Sequence, residues 1–189
     1  SVRSRGAPQA TSGTKQVTLV RSQSHPHMRY KINKSKPIGI IGGMGPQASC
    51  ELYRLLIEGA RRDYGAKKND DYPEVLIDSV PVPDFLADTE KMETAARLLK
   101  DRVRRMSKYD VSVLTMACNT ACILNERLQT QLSVPLVSVV EEVGKVVARE
   151  CKRVFILASP TSLRLNLYQE VFRQKKVTYL IPNQSEYLE

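Results

Sequence analysis

Cys118-Asn119-Thr120-Ala121 follows the apolar run Val111 to Met116 and leads into a helical pattern. A cysteine between a parallel strand and a helix start sits near unpaired backbone N–H groups and the positive end of the helix dipole. Both favour thiolate over thiol, which would make Cys118 a nucleophile or a base. The competing reading is a small buried cysteine that closes a strand.

A second element that could do chemistry is the loop Gly42-Gly43-Met44-Gly45-Pro46. Gly43-x-Gly45-x-x-Ala48 has the form of a dinucleotide fingerprint between a strand and a helix. That fingerprint expects an acid about twenty residues on, at the end of the second strand, whereas Asp78 follows Gly45 by more than thirty. Two further readings stand beside it. The glycines could serve a tight turn with positive φ, or free N–H groups of the loop and its helix could bind a small carboxylate or phosphate.

Positioning these residues falls to an alternation of strands and helices. Ile38 to Ile41 is a short continuous apolar run, as expected of a strand buried on both faces, and Pro46 opens a helix running towards Gly59. Val75 to Ile77 is the next strand, with Pro81 and Pro83 holding the loop after it extended. A helix over 90–107 carries Ala95, Leu98, Leu99, Val103 and Met106 at helical spacing. Strands at 111–116, 136–139, 154–157 and 177–181 alternate with helices at 121–131, 141–150 and 163–174. This is the pattern of an α/β protein with a parallel sheet flanked by helices, whose ligands bind at the carboxyl ends of the strands. The loops at 42–46, 80–84 and 118–120 should therefore converge on one edge.

Composition excludes several classes. The longest apolar runs are strand-sized, far below the ~20 residues of a membrane span. Cys50, Cys118, Cys122 and Cys151 form no CxxC pair, which fits reduced thiols in a cytoplasmic setting. His25 and His27 are the only histidines and lie far from the cysteines in sequence, so a metal site lacks ligands and none is expected.

The net charge of +9 comes mostly from one segment. Of 29 Lys and Arg, eight fall in residues 1–36, which hold no acid, leaving 21 basic against 20 acidic residues in the remainder. Residues 1–36 read as a basic, disordered arm without the aromatic interleaving of a nucleic-acid binder. Met28, just ahead of the first strand, is a candidate natural start, with 1–27 read through from upstream.

Ile38 to Pro46 and Met116-Ala117-Cys118-Asn119-Thr120-Ala121, with Pro81-Val82-Pro83-Asp84 between them, together resemble the aspartate/glutamate racemase family, in its aspartate racemase branch. The strand and helix over 151–172 are similar in shape to those opening that family's second lobe. The resemblance implies a two-lobed fold, with the N-terminal lobe over 37–135 and 136–189 as the beginning of an incomplete second lobe. It implies cofactor-independent racemisation of aspartate or a related acidic amino acid by a pair of cysteines flanking Cα, one removing a proton and the other delivering one.

Cys118 would be the first of that pair. Asn119 and Thr120 would bind the substrate carboxylate, Met44 and Gly45 would shape the pocket, and the hydroxyls of Ser159 and Ser162 would assist. No cofactor, specific nucleic acid or membrane partner is implied, and a homodimer is compatible.

The chain departs from the family pattern at three points. Phe85 stands where the branch places a substrate-gripping arginine, Cys122 stands where the family often has histidine, and the Gly-Cys-Thr-Glu stretch that normally carries the family's second cysteine has no counterpart up to Glu189. These departures keep alive an alternative in which the chain is a carboxylate-binding homologue with incomplete chemistry. A nicotinamide-binding domain using the glycine loop is the third reading.

Overall fold

The computed structural model describes residues 36–83 and 89–182. The basic arm up to residue 35, Asp84, Phe85 and residues 183–189 lie outside the described residues. Among those described, no helix is long and apolar enough to cross a membrane.

β1 (Ile38–Gly42) is buried along its whole length, which explains why its apolar run is uninterrupted. It lies between β2 (Val75–Ser79) and β3 (Val113–Met116), parallel to both, and β4 (Leu136–Val137) pairs with β3 to give the order β2-β1-β3-β4. β5 (Arg153–Phe155) and β6 (Thr178–Leu180) form a separate two-stranded parallel sheet. The register Leu114↔Leu136 and Thr115↔Val137 thus places β4 in the first sheet.

Helices cover the first sheet. α1 (Pro46–Tyr64) starts on Pro46 and ends on Gly65, whose φ of 70° is the left-handed cap geometry. It runs beyond Gly59 to Tyr64. α2 (Thr89–Ser107) presents Ala95, Ala96, Leu99, Val103 and Met106, all buried, to a core shared with Ile41, Leu114 and Met116. Burying a side chain the size of Leu99 or Leu114 is worth about 1.5–3 kcal/mol.

Two expected helices are divided. The segment expected as one helix over 121–131 is a 3-10 turn, Thr120–Leu124, followed by α3 (Asn125–Gln129). A three-residue period turns Ala121 and Leu124 to the same inward face, and both are buried. The segment expected over 163–174 divides into α5 (Pro160–Arg164) and α6 (Leu167–Gln174). Asn166 breaks it by adopting φ 53°, a conformation asparagine tolerates better than most residues. Gln169 secures the break, donating from Nε2 to the Leu163 carbonyl at 2.8 Å.

α4 (Val139–Glu150) begins two residues earlier than the sequence suggests because Ser138 caps it, its Oγ accepting from the Glu141 N–H at 3.3 Å. α4 packs on α6, and Ile156, Leu163, Phe172 and Val177 form a second core beneath β5 and β6.

Candidate active site

Parallel pairing brings the carboxyl ends of β1, β2 and β3 to one edge, and backbone hydrogen bonds then join the loops that leave them. The Val80 N–H donates to the Gly42 carbonyl at 3.0 Å, and the Ala117 N–H donates to the Ile41 carbonyl at 2.9 Å. Gly43, at φ 87°, donates its N–H to the buried Ser49 Oγ at 3.1 Å. The glycine loop is therefore held against both neighbouring strand ends, immediately beside Cys118.

Along this edge runs an open cleft of about 800 Å³, bounded by α1, the end of β3, α4, the β5 segment and α6. Met44, Cys118, Asn119, Thr120, Ser159 and Ser162 all line it, so six of the seven residues chosen from the sequence meet in one place. Gly45 is not in the lining. It is exposed at the N-cap of α1 with φ 93°, and its part is to turn the chain into the helix.

Cys118 is partly buried and packs, with Met44, against the first core. Its sulfur accepts hydrogen bonds from the backbone N–H groups of Thr120 and Ala121, which favour the thiolate. This is the contact expected at a helix start, here supplied by the 3-10 turn. Burial nevertheless pushes the Cys118 thiol up, and the nearby Cys122 adds to the rise. The expectation of a net shift towards thiolate is thus reversed, because loss of solvent outweighs two backbone donors. Cys122 points elsewhere, its Sγ donating to the Cys118 carbonyl at 3.5 Å, and it is not among the residues lining the cleft.

A pH dependence follows. With its pKa raised in the fold, Cys118 holds its proton more tightly than in the unfolded chain. Its contribution to stability is complete below the unfolded thiol value and is lost as pH rises through the folded one. Alkylation of Cys118 by iodoacetamide, followed residue by residue by mass spectrometry, should show a midpoint above the roughly 8.5 of a free cysteine. A midpoint below that value would mean that the backbone donors prevail.

The two serines have a structural duty. Ser159 Oγ accepts from the Ser162 N–H at 3.2 Å and lies 3.0 Å from the Ser162 Oγ, so the pair caps α5 while facing the cleft. Asp78, the acid tested against the dinucleotide pattern, meets Arg102 Nη1 at 3.4 Å.

Several wall residues escaped sequence reasoning. Glu51 lines the cleft from α1 alongside Ala48, Leu52 and Leu55. An acid within that apolar helical stripe was the available signal. The Arg54 guanidinium beside Glu51 holds its carboxyl below the ordinary range. Tyr168 lines the cleft from α6, its ring 6.1 Å from that of Phe172. Burial pushes its phenol up, as does the neighbouring Cys122. Nothing in the sequence pattern of 163–174 separates Tyr168 from a core residue.

With these features in view, a cysteine at the carboxyl edge of a parallel sheet, facing a cleft closed by a second small sheet, defines an α/β protein with the layout of a racemase lobe. The Asp/Glu/hydantoin racemase family model matches residues 41–187, and the chain belongs to that family. It is 29% identical over 136 residues to the broad specificity amino-acid racemase RacX of Bacillus subtilis (strain 168), an alignment covering 72% of this chain and 60% of that protein.

Among solved structures it is similar to an aspartate racemase homologue from Pyrococcus horikoshii OT3, with a TM-score of 0.68 and 25% identity over 80% of this chain and 66% of that one. It also shares its fold with the Picrophilus torridus aspartate racemase, with a TM-score of 0.69 and 23% identity over 81% of this chain and 65% of the other. The chain therefore spans about 60 to 66% of the length of these relatives.

Proposed function

We propose that this chain carries the Cys118 part of a cofactor-independent amino-acid racemase site. The observation that supports it most is the placement of the Cys118 sulfur at the cleft, held by the Thr120 and Ala121 N–H groups, with Asn119, Thr120 and Met44 around it. In this reading Asn119 and Thr120 hold the substrate carboxylate and so fix Cα against the sulfur. The Cα–H bond breaks as an S–H bond forms on ionised Cys118, and the negative charge spreads into the bound carboxylate, where hydrogen-bond donors stabilise it.

A second thiol on the opposite face of Cα is what the family resemblance supplies for inversion. Among the described residues Cys118 is the only cysteine lining the cleft. The reaction proposed for these residues alone is accordingly exchange of the Cα proton. The new S–H trades its proton with solvent, and the sulfur returns deuterium to the same face. Incubating the chain in D2O with each enantiomer of a panel of amino acids, and reading the Cα signal by proton NMR, tests this. Exchange of one enantiomer with retention is expected, and no exchange above background for any amino acid overturns it.

The single cysteine in the lining also favours a second reading, a homologue that binds amino acids without turning them over. It expects ligands to raise thermal stability while Cα exchange stays at background.

A further inference from the structure

Where α2 meets α3, basic side chains gather around a recess that shares no lining residue with the cleft beside Cys118. Along α2, Arg97 and Lys100 stand three residues apart and so lie on one face. On α3 and the turn that ends it, Arg127, Thr130 and Gln131 follow the same helical spacing. The two ridges border a cavity of about 190 Å³. Ala96 and Leu128, both buried, form the apolar part of its lining, so a group that enters exchanges part of its water for protein.

Arg127 is held in place by Glu93, to which its Nη1 and Nη2 donate at 2.8 and 2.9 Å across the junction of the two helices. This pairing uses two of the five guanidinium N–H groups and leaves the other three to a ligand. The Arg127 guanidinium holds the Glu93 carboxyl below its ordinary range and Arg97 adds to the effect, which puts Arg97 within electrostatic reach of the same pair. Gln131 Nε2 donates to Thr130 Oγ1 at 3.1 Å, and that hydroxyl donates to the Arg127 carbonyl at 2.9 Å. The carbonyl of Arg127 is thereby satisfied and does not repel an anion. Arg97, Lys100 and Arg127 against Glu93 leave two positive charges in excess.

A phosphate monoester carries about −1.5 to −2 at neutral pH, and planar guanidinium groups match its oxygens in pairs. Size narrows the ligand further. At about 30 Å³ per liquid water, the recess has room for a phosphoryl group and the atoms next to it. It falls below the ~300 Å³ at which pockets begin to enclose whole drug-sized ligands.

We propose that the recess between α2 and α3 binds the phosphoryl group of a small phosphate monoester, as a second ligand site that stands apart from the reading of the cleft. Arg97 and Lys100 bring charge from α2, and the prepositioned Arg127 brings donors from α3.

Calorimetric titration of the chain with glycerol 3-phosphate and, separately, with inorganic phosphate tests this, at constant ionic strength so that screening does not vary. Saturable binding of both is expected. Arg97→Gln and Lys100→Gln should each weaken it about tenfold, the scale of one hydrogen bond to a charged group. Lys152→Gln, which removes an exposed lysine outside the recess, should leave it unchanged. Arg97 and Lys100 are exposed, and thermal melts matching the parent's show that a loss of binding is not a loss of fold. The absence of saturable binding, or equal binding by the parent and both recess variants, overturns the proposal. Equal weakening in all three variants overturns it as well, because the effect would then be one of net charge.

Discussion

Cys118→Ser is expected to lower Cα–H exchange by about a hundredfold to ten-thousandfold, the span attributable to one positioned general base or acid. Serine keeps the size and the two backbone donors but replaces a thiol with a hydroxyl far too weakly acidic to ionise near neutral pH. The Thr120 and Ala121 N–H groups that hold the sulfur would hold the hydroxyl in its place, so the loss should appear in exchange and not in folding. A thermal melt close to that of the parent would separate the two effects.

Cys122→Ser is the matched control, since its Sγ is directed at the Cys118 carbonyl and it does not line the cleft. Exchange should survive that change within a few-fold. Retention of full exchange in Cys118→Ser, or equal loss in both variants, would remove Cys118 from the proposed chemistry.

Gly43→Ala should destabilise the chain by on the order of 3 kcal/mol, from two contributions that can be measured apart. A side chain at φ 87° costs about 1–2 kcal/mol by itself. The added Cβ would also lie 2.5 Å from both the N and the O of Val80. That backbone has little room to retreat, because Val80 is 1% exposed and its N–H is bonded to the Gly42 carbonyl.

Gly45→Ala isolates the first contribution. Its φ is 93°, yet a Cβ there meets nothing within 4 Å, so about 1–2 kcal/mol is expected. Urea unfolding of the two variants gives the difference directly, and equal losses would show that the approach of Val80 to Gly43 constrains nothing. Because Met44 lies between the two glycines and lines the cleft, the Gly43 variant should also disturb the pocket, whereas Gly45 lies at its margin.

Local chemistry made much of this protein legible in one dimension. A continuous apolar run marked β1 as a strand buried on both faces, and strand and helix alternation implied parallel pairing. Parallel pairing alone requires Met44 and Cys118 to emerge at the same edge of the sheet. The breaks at Thr120–Leu124 and Asn166 were not legible, because each depends on a packing choice: Ala121 and Leu124 turning inward together, and Gln169 reaching back to Leu163. Sheet membership was hidden for the same reason. Leu136 reads as a strand residue anywhere, and only its register against Leu114 assigns it to the first sheet.

The position of Cys118 at a strand end beside unpaired N–H donors was thus determined by the sequence, through its periodicity. Its proton affinity was decided only by the tertiary structure. Thr120 and Ala121 supply the expected donors, but desolvation depends on how much of the surrounding fold excludes water, and it outweighs them. The apolar part of the cleft lining was decided there as well. Val139, Val143 and Val147 are an unremarkable helical stripe in the chain, and only the packing of α4 brings them into the lining of the same cleft as Cys118.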